Sequence, residues 1–439
     1  MRTVLLISGI IGTIITVLCA YRFIYDVIGF FKVKKYPDAK VDHEYGILIA
    51  ARNEANVIGQ LIKSILACDY DQSKIRIFVV ADNCTDNTAQ IARDAGATVF
   101  ERFNKQEIGK GYALNHLLAK IHEAEPEYLP EAWMIFDADN LLDKNYIKEM
   151  NKAFDAGEEI ITSLRNGKNF NTNWVSAINC MAFMRECRFT QAPRSVLNIS
   201  AKITGTGWLA KNTIINYEIG FPWHFLTEDC QFTNVHVLKD KRIAYQDSAV
   251  FYDEQPTNFK VVYKQRLRWQ SGYYQNLRAY LGGLFAAQFH GNFRRRFEAY
   301  DHFVSMLPLD LFGTLIAIAN IITQVVLGIL MITGGATVWA GLWYIARAIL
   351  LIFAGIYFGA FVYGVLVHIK DWKRMAANTK FKLVSMFTYP IFVIMIMPIS
   401  IIALFRRAKW VEIPHKDERT IAVIDKDLAE MNEKNKKEK

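Results

Sequence analysis

Three short motifs follow one another along a single polar stretch of the chain, and each has the residue types for a distinct piece of chemistry. Asp137-Ala138-Asp139 offers two carboxylates around a small residue, which suits a divalent cation held on a nucleotide diphosphate. Thr227-Glu228-Asp229 offers a downstream carboxylate suited to a general base. Gln265-Arg266-Leu267-Arg268-Trp269 reads Q-x-x-R-W, where Arg268 can fork onto a diphosphate, Trp269 can cover a sugar face and Gln265 can hydrogen-bond a sugar hydroxyl. Taken singly each is ordinary, since D-x-D occurs in solvated acidic turns and T-E-D is a common helix start. Their order along the chain predicts sugar transfer.

Strand–loop–helix units must position these residues. Tyr45–Ala51 is a continuous apolar run that ends at Arg52-Asn53-Glu54 and is followed by Val57, Leu61, Ile62 and Ile65 at helical spacing. The pattern returns at 75–80, running into Asp82-Asn83, and at 133–136, running into Asp137. Such units predict a Rossmann-like α/β domain with a mostly parallel sheet and helices on both faces. Ligands then sit outside the carboxyl ends of the strands, where Glu54, Asp82 and Asp137 converge. Asp82 can accept hydrogen bonds from a base or ribose, or serve as an ordinary turn residue. In Gly109-Lys110-Gly111 the glycines allow backbone to approach a phosphate and Lys110 adds a point charge, although a plain helix start fits equally.

In sequence and succession the three motifs resemble those of the processive inverting glycosyltransferases of family 2, the cellulose and mixed-linkage glucan, hyaluronan and poly-N-acetylglucosamine synthases. The resemblance covers residues 45 to 280 by motif. It implies a GT-A catalytic domain at 45–256, inserted between transmembrane helices, with a UDP-sugar donor. It further implies Asp82 as the nucleoside-binding residue, Glu54 in the loop beside the nucleotide, Asp137 and Asp139 around Mg²⁺ or Mn²⁺, and Asp229 as catalytic base. Gly205-Thr206-Gly207-Trp208 resembles the acceptor-side loop, which places Gly205 and Thr206 with Gln265 and Trp269 in acceptor binding. Two departures are Asn83, where a second acidic residue is frequent, and the missing Pro ahead of the Asn53-Glu54 loop. The acceptor implied is a growing β-linked polysaccharide that passes through the protein's own helices, with glucose ahead of N-acetylglucosamine as the sugar. Single transfer to a lipid is the alternative within the same chemistry. A transporter with a degenerate nucleotide domain, hinted at by Arg347 in an apolar helix, is opposed by the complete motif set.

The rest of the chain predicts a membrane protein. Of 439 residues, 52% are hydrophobic, and they concentrate in an N-terminal run to residue 31 and in stretches at about 303–332, 338–368 and 384–405, each near the length a helix needs to span a bilayer. The first is read as an anchor rather than a signal peptide, because no small-residue cleavage site follows it. Residues 257–300 predict an amphipathic helix region carrying Q-x-x-R-W, lying in the membrane interface or packed on the catalytic domain. Residues 301–406 predict transmembrane helices, and 407–439 a charged tail, disordered from Pro414 onward.

The net charge of +9 arises in clusters beside apolar segments, such as Lys32-Lys34-Lys35 and Arg406-Arg407-Lys409, which fits anionic lipid and the cytoplasmic face of a plasma membrane rather than nucleic acid. Three crossings after residue 300 would leave the C-terminus outside, whereas Arg406, Arg407 and Lys409 place it inside; sequence leaves both open. The six cysteines show no metal or C-x-x-C spacing and are expected to be buried, inert thiols in a reducing compartment.

Overall fold

A strand as apolar as Tyr45–Ala51 has no face to give to water, so it must lie inside a sheet covered on both sides. The computed structural model, which describes residues 2–406, 408, 413 and 415–437, places it there. The strands are β1 (Tyr45–Ala51), β2 (Ile75–Asp82), β3 (Thr98–Arg102), β4 (Ala132–Asp137), β5 (Leu141–Leu142), β6 (Ile160–Gly167), β7 (Trp208–Lys211) and β8 (Ile243–Asp253). They form one sheet in the order β3-β2-β1-β4-β7-β6-β8-β5. Alternate residues of β1 face opposite layers: Ile47 and Ile49 pack with Leu61 and Ile65, while Leu48 packs with Leu114 and Leu117.

Register carries the carboxyl ends of the central strands to one place. Ala51 pairs with Ala81 and Ala50 with Asp137, so Glu54, Asp82 and Asp137 emerge side by side. Asn53 and Asn83, which follow these strand ends, both have left-handed backbones (φ 55° and 54°). Asparagine tolerates that conformation better than most residues, which accounts for Asn83 at a position where an acid was expected. The sheet is mixed. Its β3-β2-β1-β4 half is parallel as expected, but β7 runs antiparallel to both β4 and β6.

Outside the sheet, Phe259–Ala287 is one long helix, here the motif helix, followed by Phe293–Met306. Leu309–Thr333, Val338–Asp371 and Thr379–Phe405 are long and apolar enough to cross a bilayer, and Leu6–Cys19 with Arg22–Phe31, bent by 42°, adds a fourth if the pair counts as one span. Thr379–Phe405 contains Pro390 and breaks at Met397-Pro398. The Asn378 N–H at its start donates to Asn171 of the sheet domain, and the Ala408 N–H beyond its end donates to Ser271 on the motif helix. Residues 415–417 then lie against the strand-end residues Glu54 and Glu254, so this part of the tail packs on the sheet domain.

The tail also corrects the expectation of disorder. Ile421–Lys437 is a helix, and its Ile424 is buried against Leu141, Tyr252 and Ala376. Arg407, Lys409, Pro414 and Glu438-Lys439 lie outside the described residues. All six cysteines are free thiols; Cys68, Cys180 and Cys187 are buried as expected, but Cys19, Cys84 and Cys230 are only half-buried.

Candidate active site

The crevice at the strand ends is a cavity of about 610 Å³ that runs from Arg52, Glu54 and Asp82, past Asp137, Asp139 and Asp229, to Tyr389, Phe392 and Ile396 of the third apolar helix. Ten of the sequence-selected residues line it: Glu54, Asp82, Lys110, Asp137, Asp139, Gly205, Asp229, Gln265, Arg268 and Trp269. Thr206 is the exception. It is buried, and its hydroxyl accepts the Asp137 N–H at 2.8 Å and donates to Asn140, so it fixes the Asp137 loop from behind.

On the nucleotide side, Arg102 donates to Asp82 Oδ1 at 2.7 Å, and both side chains are buried. Such a pair fixes the carboxylate in one orientation. Lys110 begins the helix Lys110–Ala124 after Gly109, as the helix-start reading expects, and its side chain lines the cavity. Its ammonium bridges Asp137 and the Gly205 carbonyl, the latter at 2.8 Å. Gly205 has φ 88°, and a Cβ added there would lie 4.0 Å from Asp229 Oδ2, so this left-handed turn sets backbone close to the acid.

Asp229 sits in the first turn of the helix Glu228–Leu238. The motif helix holds that turn: Asn276 donates to Thr227 Oγ1 at 3.1 Å, and a Cβ on Gly272 would fall 2.6 Å from the same oxygen. Three residues before Gly272, Trp269 faces the cavity with the Arg266 guanidinium 4.5 Å from its ring. Arg268 donates to the Leu226 carbonyl at 3.2 Å, which ties the motif to the strand of chain leading into Asp229. The Gln265 Oε1 is buried at the cavity wall with no hydrogen-bond partner among the described residues.

Burial raises the pKa of Asp229, against the opposing pull of the Cys230 N–H, Lys110 and Arg268. Burial and the neighbouring Asp229 raise Glu228 to about 7.

Sequence reasoning missed several lining residues. His415 Nδ1 donates to Glu54 at 2.9 Å, and its Nε2 lies 3.8 Å from Asp139 Oδ2. Burial alone would lower its pKa, yet Asp139 and Glu54 raise it to about 10, so the imidazolium charge stands beside two acids of the crevice. A lone histidine in a charged tail gives no spacing signal. Glu254 accepts the Lys416 and Asp417 N–H groups and donates its own N–H to Asp139. Arg165 pairs with Asp253 and bonds the Thr204 carbonyl. Asp253 and Glu254 stand at the carboxyl end of β8, as Glu54, Asp82 and Asp137 stand at those of β1, β2 and β4.

Among the described residues no group of three or more His, Cys, Asp or Glu surrounds a single point. The donor set of Asp137 and Asp139 fits a hard divalent cation, which takes one or two carboxylates and fills its remaining positions with water and phosphate oxygens.

The family profile "Glycosyltransferase like family 2" matches residues 43–272. Poly-beta-1,6-N-acetyl-D-glucosamine synthase of Staphylococcus aureus (strain MSSA476) is 27% identical over 259 residues, 55% of this chain and 58% of the relative. The Staphylococcus epidermidis (strain ATCC 35984) protein of that name is 26% identical over 276 residues, 57% of this chain and 63% of the relative. The chain thus spans less than two thirds of these relatives' length. The solved mannosyltransferase PcManGT from Pyrobaculum calidifontis, in complex with GDP-Man and Mn²⁺, superposes with a TM-score of 0.53 at 15% identity over 86% of this chain and 98% of that one, which shows a shared GT-A fold.

Proposed function

We propose that this chain, which belongs to glycosyltransferase-like family 2 and is a family 2 glycosyltransferase, is a membrane-embedded synthase that extends a β-linked polysaccharide from a UDP-sugar and carries the product through its own helices. The observation that carries the reading is one continuous cavity joining the strand-end acids to Asp229, Trp269 and an apolar helix. Donor, base and acceptor can therefore meet without rearrangement of the sheet.

The donor nucleotide lies along Asp82, Glu54 and Lys110, with Arg268 on the diphosphate. Asp139, with Asp137, holds Mg²⁺ or Mn²⁺, which when bound offsets the charge that gathers on the departing UDP. Asp229 takes the proton of the acceptor hydroxyl as that oxygen bonds to the anomeric carbon. The bond from this carbon to the phosphate oxygen breaks, and its electron pair leaves with UDP. Displacement from the opposite face inverts the centre and needs no second carboxylate as nucleophile. Gln265, Gly205 and Trp269 position the acceptor, while Thr206 supports Asp137. The catalytic unit faces the cytoplasm of the plasma membrane, with Lys32, Lys34 and Lys35 at the headgroups.

The sequence favours glucose as the sugar; the staphylococcal relatives favour N-acetylglucosamine. Purified protein in detergent with Mg²⁺ or Mn²⁺ and each UDP-sugar in turn tests the reading. Sugar-dependent UDP release with label entering a glycan is expected for one of these two donors, and turnover with neither would sink it.

Because the base must be ionised and its pKa is raised, transfer falls on the acid side with a midpoint above the ordinary carboxylate value of about 4. Turnover against pH checks this, and a midpoint at or below that value contradicts it.

Trp269→Ala is expected to shorten products or uncouple UDP release from growth while donor affinity is kept. Loss of one aromatic face costs about 1 kcal/mol, several-fold in acceptor occupancy. Polymer of unchanged length and yield would reduce Trp269 to a packing residue.

A further inference from the structure

The acceptor end of the cavity holds two arginines that form no ion pair among the described residues. Three arginines face it: Arg165, Arg185 and Arg266. Arg165 is fully engaged, by Asp253 and the Thr204 carbonyl. Arg185 and Arg266 are different. The Nε of each is buried with no hydrogen-bond partner, and among the described residues neither guanidinium has a carboxylate within the 4.0 Å of an ion pair. The protein offers them a single amide and π faces instead: Arg266 donates to Asn179 at 3.1 Å and lies over Trp269 and Phe392, while Arg185 lies over Tyr363. Glu186 lines the same stretch and Asp26 bonds Tyr363 beyond it; both favour the Arg185 charge from a distance, but neither comes within ion-pair range of either arginine.

Leaving a guanidinium buried and unpaired is costly, and proteins normally supply a counter-charge. Here that charge is left for a ligand. Apolar side chains share this end of the cavity with them: Phe392, Val393 and Ile396 of the helix Thr379–Ile396, with Val262 of the motif helix packed against Phe392. An anion alone would have no use for these apolar side chains, and a neutral glycan none for two unpaired arginines. Resting on the reading that Asp229 and Trp269 face the acceptor, we propose that this end of the cavity binds a lipid-borne phosphate, so that the first acceptor is a phosphorylated lipid whose phosphate lies on Arg185 and Arg266 and whose chain runs along the third apolar helix. An ionised phosphate oxygen of that lipid would bond to the anomeric carbon as the bond from this carbon to UDP breaks and its electron pair leaves with UDP, so the growing glycan would start on a lipid primer.

The test uses the full chain in neutral detergent, saturated with UDP, and measures equilibrium binding of farnesyl phosphate, farnesol and inorganic phosphate. Charge-assisted bonds to phosphate lead us to expect farnesyl phosphate to bind at least about tenfold more tightly than either farnesol or inorganic phosphate. Arg185→Gln and Arg266→Gln should each lower its affinity about tenfold with UDP affinity unchanged, and Arg185→Lys should restore part of the loss. Arg185→Gln is the decisive variant, since Arg266 also packs on Trp269 and its loss could disturb the motif helix.

Equal binding of farnesol and its phosphate, equal competition by inorganic phosphate, displacement by UDP, or unchanged affinity in variants that still bind UDP would each overturn the proposal. Binding as expected from a chain that transfers sugar from no donor would leave this site standing and remove the catalytic reading. Polymer formation without any preference for the phosphate would do the reverse.

Discussion

Asp229→Asn is expected to abolish polymer formation while UDP-sugar binding stays near normal. A positioned general base contributes about 10²- to 10⁴-fold, and the amide cannot take the acceptor proton at any pH. The fold should survive, because asparagine is isosteric and still accepts the Cys230 N–H at the start of the Glu228–Leu238 helix. The neighbouring acid does not replace it: Glu228 is raised to about 7 by burial and by Asp229 itself, and it belongs to a different direction of the first helical turn. Donor binding by titration and turnover by UDP release separate the effects. A variant that fails to bind donor but transfers sugar normally from the bound state would show that Asp229 serves the nucleotide instead.

Asp139→Asn should cost a comparable amount by another route. Asp139 is nearly buried, accepts the Glu254 N–H at 3.0 Å and stands at the cavity wall beside His415. Asparagine keeps the backbone contact through its carbonyl and loses the charge, so the protein should remain folded in the membrane while transfer falls about 10³-fold, the equivalent of several kcal/mol of lost cation stabilisation. EDTA should reproduce the loss in the wild type. Full turnover in EDTA, or an Asp139→Asn variant as active as the parent, would remove the divalent cation from the account.

The sequence was most legible where apolar runs end in polar turns. β1, β2 and β4 are continuous buried strands, so their ends, and with them Glu54, Asp82 and Asp137, could be placed before any coordinates. β8 was not found because Gln246, Asp247 and Ser248 interrupt it where its pairing with β6 shifts from Ser163–Gln246 to Leu164–Val250, and Glu254 was lost with it. Thr206 shows the limit of motif reasoning: its place beside Gly205 is legible, but which way its hydroxyl turns depends on Asn140 and the Asp137 backbone.

His415 was out of reach for a different reason. A highly charged tail ordinarily cannot bury enough apolar surface to order itself, but Glu254 receives two of its backbone N–H groups and a pocket of Leu141, Tyr252 and Ala376 receives Ile424. Those contacts are made by residues at 141, 252, 254 and 376, far from the tail in sequence, and local composition does not report them.

The most direct test of the central claim is product length. Purified wild-type protein with Mg²⁺ and labelled UDP-N-acetylglucosamine or UDP-glucose should yield, from limiting enzyme, long chains that a β-specific glycosidase degrades, with Asp229→Asn giving none. A product that stops at one transferred sugar at every time point, or a chain resistant to β-specific and sensitive to α-specific cleavage, would contradict a β-polymerising synthase.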